Sequence, residues 1–222
     1  MRYEELAGHP GVFHAPVAGN AAAARAMAGV LDAQETRRAE GLRRARDAER
    51  HRVAHVLLRL VLGAHLGEAP ERLVFRRRAC PGCGGPHGKP YLDGHPVHFS
   101  LSHTADHVLL ALACAPVGVD VEAVPGAATA REVLPALHLR EREELTGLAD
   151  AELAARLARC WARKEAALKA TGLALTEGAE EPYVGSAERP AQVPGLVLTD
   201  LPAPGGHRAA LAVAEPLGRR GP

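Results

Sequence analysis

The chain has 222 residues, 47% hydrophobic and 24% charged, which is enough for one large domain or two small ones of ordinary globular type. Its 27 lysines and arginines nearly cancel 26 aspartates and glutamates, so no whole-chain field exists to hold a nucleic acid or an anionic membrane, and any anion site must be local. Aromatic residues make up only 3%, leaving the core to Leu, Val and Ala and supplying no base-stacking platform.

The first ten residues carry Glu4, Glu5 and His9 where a secretory signal would have a basic start and an apolar core. A cytoplasmic location is therefore expected, with the four cysteines reduced and too few for a disulfide scaffold. Residues 21–66 are rich in Ala, Leu and Arg without Pro, and Val53, Val56, Leu57, Leu60 and Val61 recur at helical spacing, which predicts two helices. Arg59 interrupts the apolar run 56–62, and Pro70 excludes helix just beyond. A loop rich in Gly, Pro and Cys follows over 80–90. Alternation at 98–101 and the apolar run 108–115 predict two strands joined by a turn at 102–107; that run is far shorter than the roughly 20 residues of a spanning helix. A third strand over 117–122 leads to a linker around Pro125 and Gly126. The pattern is helical again over 131–170, closing at Gly172, and two short strands are expected at 195–198 and 208–213 before a frayed end at 217–222. Helices then strands, a linker, helices then strands: the order predicts an α+β fold of two similar units, divided into residues 1–116 and 117–222.

Three constellations carry chemistry. In Gly118-Val-Asp120-Val-Glu122 the strand period of two puts both carboxylates on one face and Val119 and Val121 on the other. That is either the polar face of a half-buried strand, which need not be packed, or a hard-cation site, since Mg²⁺ takes one or two carboxylates and fills its shell with phosphate and water. Trp161, Glu165 and Lys169 are spaced by four along one helix face, with Lys164 beside them. Glu165 and Lys169 are either a solvent-facing i,i+4 pair or a third acid and a phosphate-binding cation docked beside the strand. Gly88-Lys89-Pro90 and Phe99-Ser-Leu-Ser102-His103 offer a basic loop and a strand end able to bind phosphate, or a polar hairpin turn. A Ser102/His103 nucleophile pair is disfavoured, because adjacent residues seldom aim at each other and no nucleophile elbow surrounds the serine. Separately, Cys80-Pro-Gly-Cys83 with His87 is a Zn²⁺ knuckle with three near ligands of the four required, or a turn whose cysteines are merely small.

Taken together, Gly118-Val-Asp120-Val-Glu122, Trp161-x-x-Lys164-Glu165-x-x-x-Lys169, and Gly88-Lys89-Pro90 with Phe99-Ser-Leu-Ser102-His103 resemble the Sfp-type 4′-phosphopantetheinyl transferases. The resemblance implies two α+β subdomains in pseudo-two-fold arrangement with the site at their junction. It further implies a monomer that moves the phosphopantetheine arm of coenzyme A to a serine of an acyl or peptidyl carrier protein, for fatty acid, polyketide or nonribosomal peptide synthesis, releasing 3′,5′-adenosine diphosphate. Residue by residue, it assigns Asp120, Glu122 and Glu165 to Mg²⁺, Glu165 and Lys169 to catalysis, and Lys164 to the phosphates. Lys89, Ser102, His103 and Arg52 fall to coenzyme A, with Arg37, Arg38, Arg43 and Arg44 as candidates for its 3′-phosphate. The rivals are a non-catalytic carrier-protein or nucleotide-binding module of the same fold, and a zinc-dependent interaction domain around Cys80, Cys83 and His87.

Overall fold

The computed structural model describes residues 1–173 and 180–215. The chain opens with two strands that local pattern does not predict, β1 (Glu4–Glu5) and β2 (Val12–Pro16). The two helices expected over 21–66 are three: α1 (Ala21–Ala26), α2 (Ala33–Glu40) and the 22-residue α3 (Ala45–Leu66). The division has a local cause. Asp32 accepts from the N–H groups of Gln34 and Glu35 while the Glu35 carboxylate accepts from the Asp32 N–H, a capping box that starts a new helix, and α3 ends on the left-handed Gly67.

Strands β3 (Phe75–Arg77) and β4 (Pro90–Leu92) form a hairpin around the cysteine-rich loop. Then come β5 (His98–Thr104) and β6 (His107–Ala113), so Ser102 and His103 lie within a strand and not in the turn, which tightens to Ala105 and Asp106. Strand β7 (Val117–Ala123) follows, and the helical stretch beyond it is three helices, α4 (Ala127–Val133), α5 (Leu139–Leu145) and α6 (Asp150–Thr171), the last ending at left-handed Gly172 as expected. β8 (Leu196–Leu201) and β9 (His207–Ala214) complete the fold. The end expected to fray, 217–222, lies outside the described residues.

Among the described residues two larger antiparallel sheets, β1-β2-β6-β5 and β7-β9-β8, accompany the two-stranded β3-β4 sheet, giving an α+β fold. Helix α3 covers the first, with Val53, Leu57 and Val61 packed against Phe99, Val108 and Leu110. Helix α6 covers the second so closely that a Cβ on Gly118 of β7 would stand 1.9 Å from the Ala166 carbonyl oxygen. Only small residues permit that approach, and Ala162, Ala166 and Ala170 meet Ala210 and Ala212 there. A further cluster bridges the sheets, with Val12, Leu109 and Ala111 against Val119, Val121 and Ala209. The edge strands β5 and β7 therefore lie side by side, and this junction positions the site. No helix among the described residues is long and apolar enough to cross a membrane.

Candidate active site

Asp120 is 3% exposed, so the strand face expected to need no packing is packed. Its Oδ1 accepts from the Ser102 hydroxyl at 2.7 Å and from Lys169 Nζ at 2.6 Å. Its Oδ2 is buried with no hydrogen-bond partner. Two residues along β7, Glu122 has its pKa pushed up to about 7 by burial and then by the charges of Asp120 and Glu165, against the pull of Lys169. Burial also raises the pKa of Glu165, with Asp120 adding to the effect and Lys169 opposing it. Three acids thus share one ammonium. An orphaned buried carboxylate oxygen beside two carboxyls that ionise reluctantly is a site short of positive charge, and its all-oxygen donors suit a hard divalent cation.

Trp161, Glu165 and Lys169 share one half-buried stripe of α6, as their spacing requires. Lys169 pairs with Asp120, however, and not with Glu165 as a surface i,i+4 pair would. Lys164 departs from its assignment to the phosphates. It is fully buried and turned to other partners, Nζ lying 2.8 Å from Glu141 Oε2 and donating to the Pro182 carbonyl at 2.6 Å. A fully buried ammonium needs such a partner, and the fold supplies it on α5.

The N-terminal candidates reach the junction differently. Lys89 Nζ donates to the Val117 carbonyl of β7 at 2.6 Å, and burial followed by the charge of Arg78 lowers its pKa to about 8. The Ser102 hydroxyl, assigned to coenzyme A by resemblance, is committed to Asp120. His103 stands exposed at the rim, its pKa lowered by partial desolvation and then by Arg50 and Lys169. Arg52 is half-buried on α3, one residue from His51. His51 and His55 stack at 4.1 Å and line a groove of about 910 Å³ with Glu35, Arg38, Arg76, Arg77 and Tyr91. Of the four arginines named for a 3′-phosphate, Arg38 lines this groove and Arg37, Arg43 and Arg44 do not.

Residues 116–203 match the 4′-phosphopantetheinyl transferase superfamily. The match includes Asp120, Glu122, Glu165 and Lys169, whereas Lys89, Ser102, His103 and Arg52 precede it. The chain is also similar to the 4′-phosphopantetheinyl transferase gsp of Aneurinibacillus migulanus, 32% identical over 79 residues, which are 36% of this chain. The chain spans about a third of that curated relative, 30% of its length.

The groove histidines His51 and His55, and Glu141 as the buried partner of Lys164, escape sequence reasoning. His51 and His55 at i,i+4 were the available signal. Glu141 offered none, because it sits in the charged run Leu-Arg-Glu-Arg-Glu-Glu-Leu of α5 that reads as solvated surface.

Proposed function

We propose that the protein is a 4′-phosphopantetheinyl transferase, moving the phosphopantetheine arm of coenzyme A to a serine of an acyl or peptidyl carrier protein in the cytoplasm, as a monomer. The observation that carries this reading is the buried Asp120 with one oxygen unpartnered beside Glu122 and Glu165. Asp120, Glu122 and Glu165 would hold Mg²⁺, which when bound supplies Lewis-acid stabilisation of charge on the pyrophosphate. Ser102 acts on Asp120, fixing its carboxylate by the 2.7 Å hydrogen bond.

In this reading residues 117–222 supply the acids and residues 1–116 the coenzyme A contacts. The groove beneath α3 takes the nucleotide end, with Arg38, His51 and His55 toward its phosphate and Tyr91 toward the base. His103 continues this rim toward Lys169, whose charge reaches its imidazole, and Arg52 of α3 is assigned to coenzyme A on the resemblance alone. Lys89 and Lys169 both donate to neutral main-chain carbonyls of β7, and each gains by turning to a phosphate oxygen. Glu165 takes the proton of the carrier serine as that oxygen bonds to the β-phosphorus. The bond to 3′,5′-adenosine diphosphate breaks with its electron pair leaving on the departing phosphate oxygen.

The test is intact mass of an apo carrier protein after incubation with the purified chain, coenzyme A and Mg²⁺. The expected result is the addition of one phosphopantetheine arm, abolished by chelation of the metal. Coenzyme A binding without any mass gain, across carriers of fatty acid, polyketide and nonribosomal peptide systems, would replace the enzyme with a nucleotide-binding module.

A further inference from the structure

Away from the acids, the loop between β3 and β4 gathers a second set of metal-ligating atoms. The sulfur atoms of Cys80 and Cys83 and a ring nitrogen of His87 all lie within 4.8 Å of one another, with Cys83 Sγ 2.9 Å from His87 Nε2. The main chain builds this geometry. Cys80 N–H donates to the Gly85 carbonyl at 2.7 Å and Gly84 N–H to the Cys80 carbonyl at 2.8 Å, closing a turn that brings Cys83 back over Cys80. Gly84 has φ 72°, in the left-handed region that favours glycine. At the far end Gly88 packs so tightly that a Cβ would stand 2.7 Å from the carbonyl oxygens of both Arg78 and Ala79.

Two thiols and one imidazole are a soft and borderline donor set, unlike the all-oxygen set at the junction, and they select a different ion. We propose that Cys80, Cys83 and His87 bind one Zn²⁺, with water as the fourth ligand. Binding releases the two thiol protons to solvent, and two thiolates with a neutral imidazole cancel the charge of the ion. The adjoining Arg76, Arg77 and Arg78 then meet no added positive charge.

The site sits where it can hold two other parts in register. Pro81, between the two cysteines, and Lys89 both pack beside Gly172 at the end of α6. Pro86, just before His87, lines the groove beneath α3. The zinc ion fastens the loop that carries Lys89 between that groove and the catalytic helix. Its binding does not depend on the transferase reading; only the value of holding Lys89 still does.

The experiment counts zinc in the full-length protein after incubation with zinc sulfate and desalting, without coenzyme A or carrier present. Elemental analysis should find about one zinc per chain. The Cys83→Ser, His87→Asn double variant should retain none, with an unchanged circular dichroism spectrum. His87→Cys keeps a ligating side chain and should restore the zinc, which guards against simple misfolding of the loop. Cobalt in place of zinc should give thiolate charge-transfer absorption in the wild type and not in the double variant. Zinc should also slow tryptic cleavage after Arg77 and Arg78 by about tenfold, as for any segment whose local opening is suppressed. Wild-type protein that retains no zinc, or a double variant that retains as much, overturns the proposal whatever the transferase assay returns.

Discussion

Glu122 shows how the junction stores its demand for a cation. Its carboxyl ionises near 7 in the folded protein against 4.5 for the free group, so between those values the folded state holds a proton that the unfolded chain has released. Without divalent metal, the contribution of Glu122 to stability therefore falls as pH rises from about 4.5 to about 7 and stays unfavourable above. Glu122→Gln should accordingly stabilise the metal-free protein at pH 8, by about 1 kcal/mol after allowance for partial solvent screening, and make no difference at pH 4. Thermal melts in a chelator check this, and added Mg²⁺ should reverse the order of the two proteins. Glu165 is judged by rate. Glu165→Gln keeps size and helix propensity, so it should leave the melting temperature near wild type while lowering turnover by about 10²-fold or more, the range for a lost general base. Normal turnover at saturating Mg²⁺ would return the residue to the status of a helix-surface acid.

Helix α6 presents three faces with different duties. Glu165 and Lys169 look toward the junction and Trp161, on the same stripe, packs on the cluster of Leu137, Leu145 and Leu157, while Ala162, Ala166 and Ala170 lie against the second sheet. Gly118→Ala would drive a methyl into the Ala166 carbonyl, 1.9 Å away, so the helix must lift from β7. A loss of about 3 kcal/mol, at the upper end for overpacking, is expected by chemical denaturation. It should come with falling activity, because Asp120 and Glu165 sit on the two elements forced apart. Lys164→Met tests the third face. It leaves Glu141 buried without its cation, though still accepting from the N–H groups of His138 and Val184, and should cost about 3 kcal/mol. Turnover per folded molecule and the KM for coenzyme A should not change; a raised KM at unchanged stability would return Lys164 to the phosphates. The stripe was legible in the sequence because Trp161, Glu165 and Lys169 need only helical periodicity to align. The burial of Lys164 was not, since its partner lies on another helix and looks like surface charge. Strands β1 and β2 were hidden for a related reason: β2 is a strand because it pairs with β6, more than 90 residues away, a pairing no local alternation announces.

At the scale of the molecule, the α+β order of elements was readable, and the way the two sheets meet was not. Lys89, from the hairpin, reaches across to β7 and has a pKa of about 8. Its ammonium is therefore titrated just above neutrality, so coenzyme A affinity measured by calorimetry should fall as pH rises from 7 to 9, and Lys89→Arg, whose side chain stays charged, should flatten that fall. An affinity flat across this range in the wild type would remove Lys89 from the phosphate site. Lys89 is one of four side chains that meet β7 along a single line. Ser100 and Ser102 accept from the N–H groups of Val119 and Val121, while Lys89 and Lys169 donate to the carbonyls of Val117 and Val119. An exposed strand edge with its amides unmet is a template on which a second chain can add itself, the first step of edge-to-edge aggregation. Here that edge is occupied by hydroxyls and ammonium groups from the same chain, which offer nothing to extend. The arrangement that brings hydroxyl and ammonium groups to the acids is therefore also a seal on the second sheet, protecting solubility in a protein whose net charge of +1 gives little electrostatic repulsion between copies.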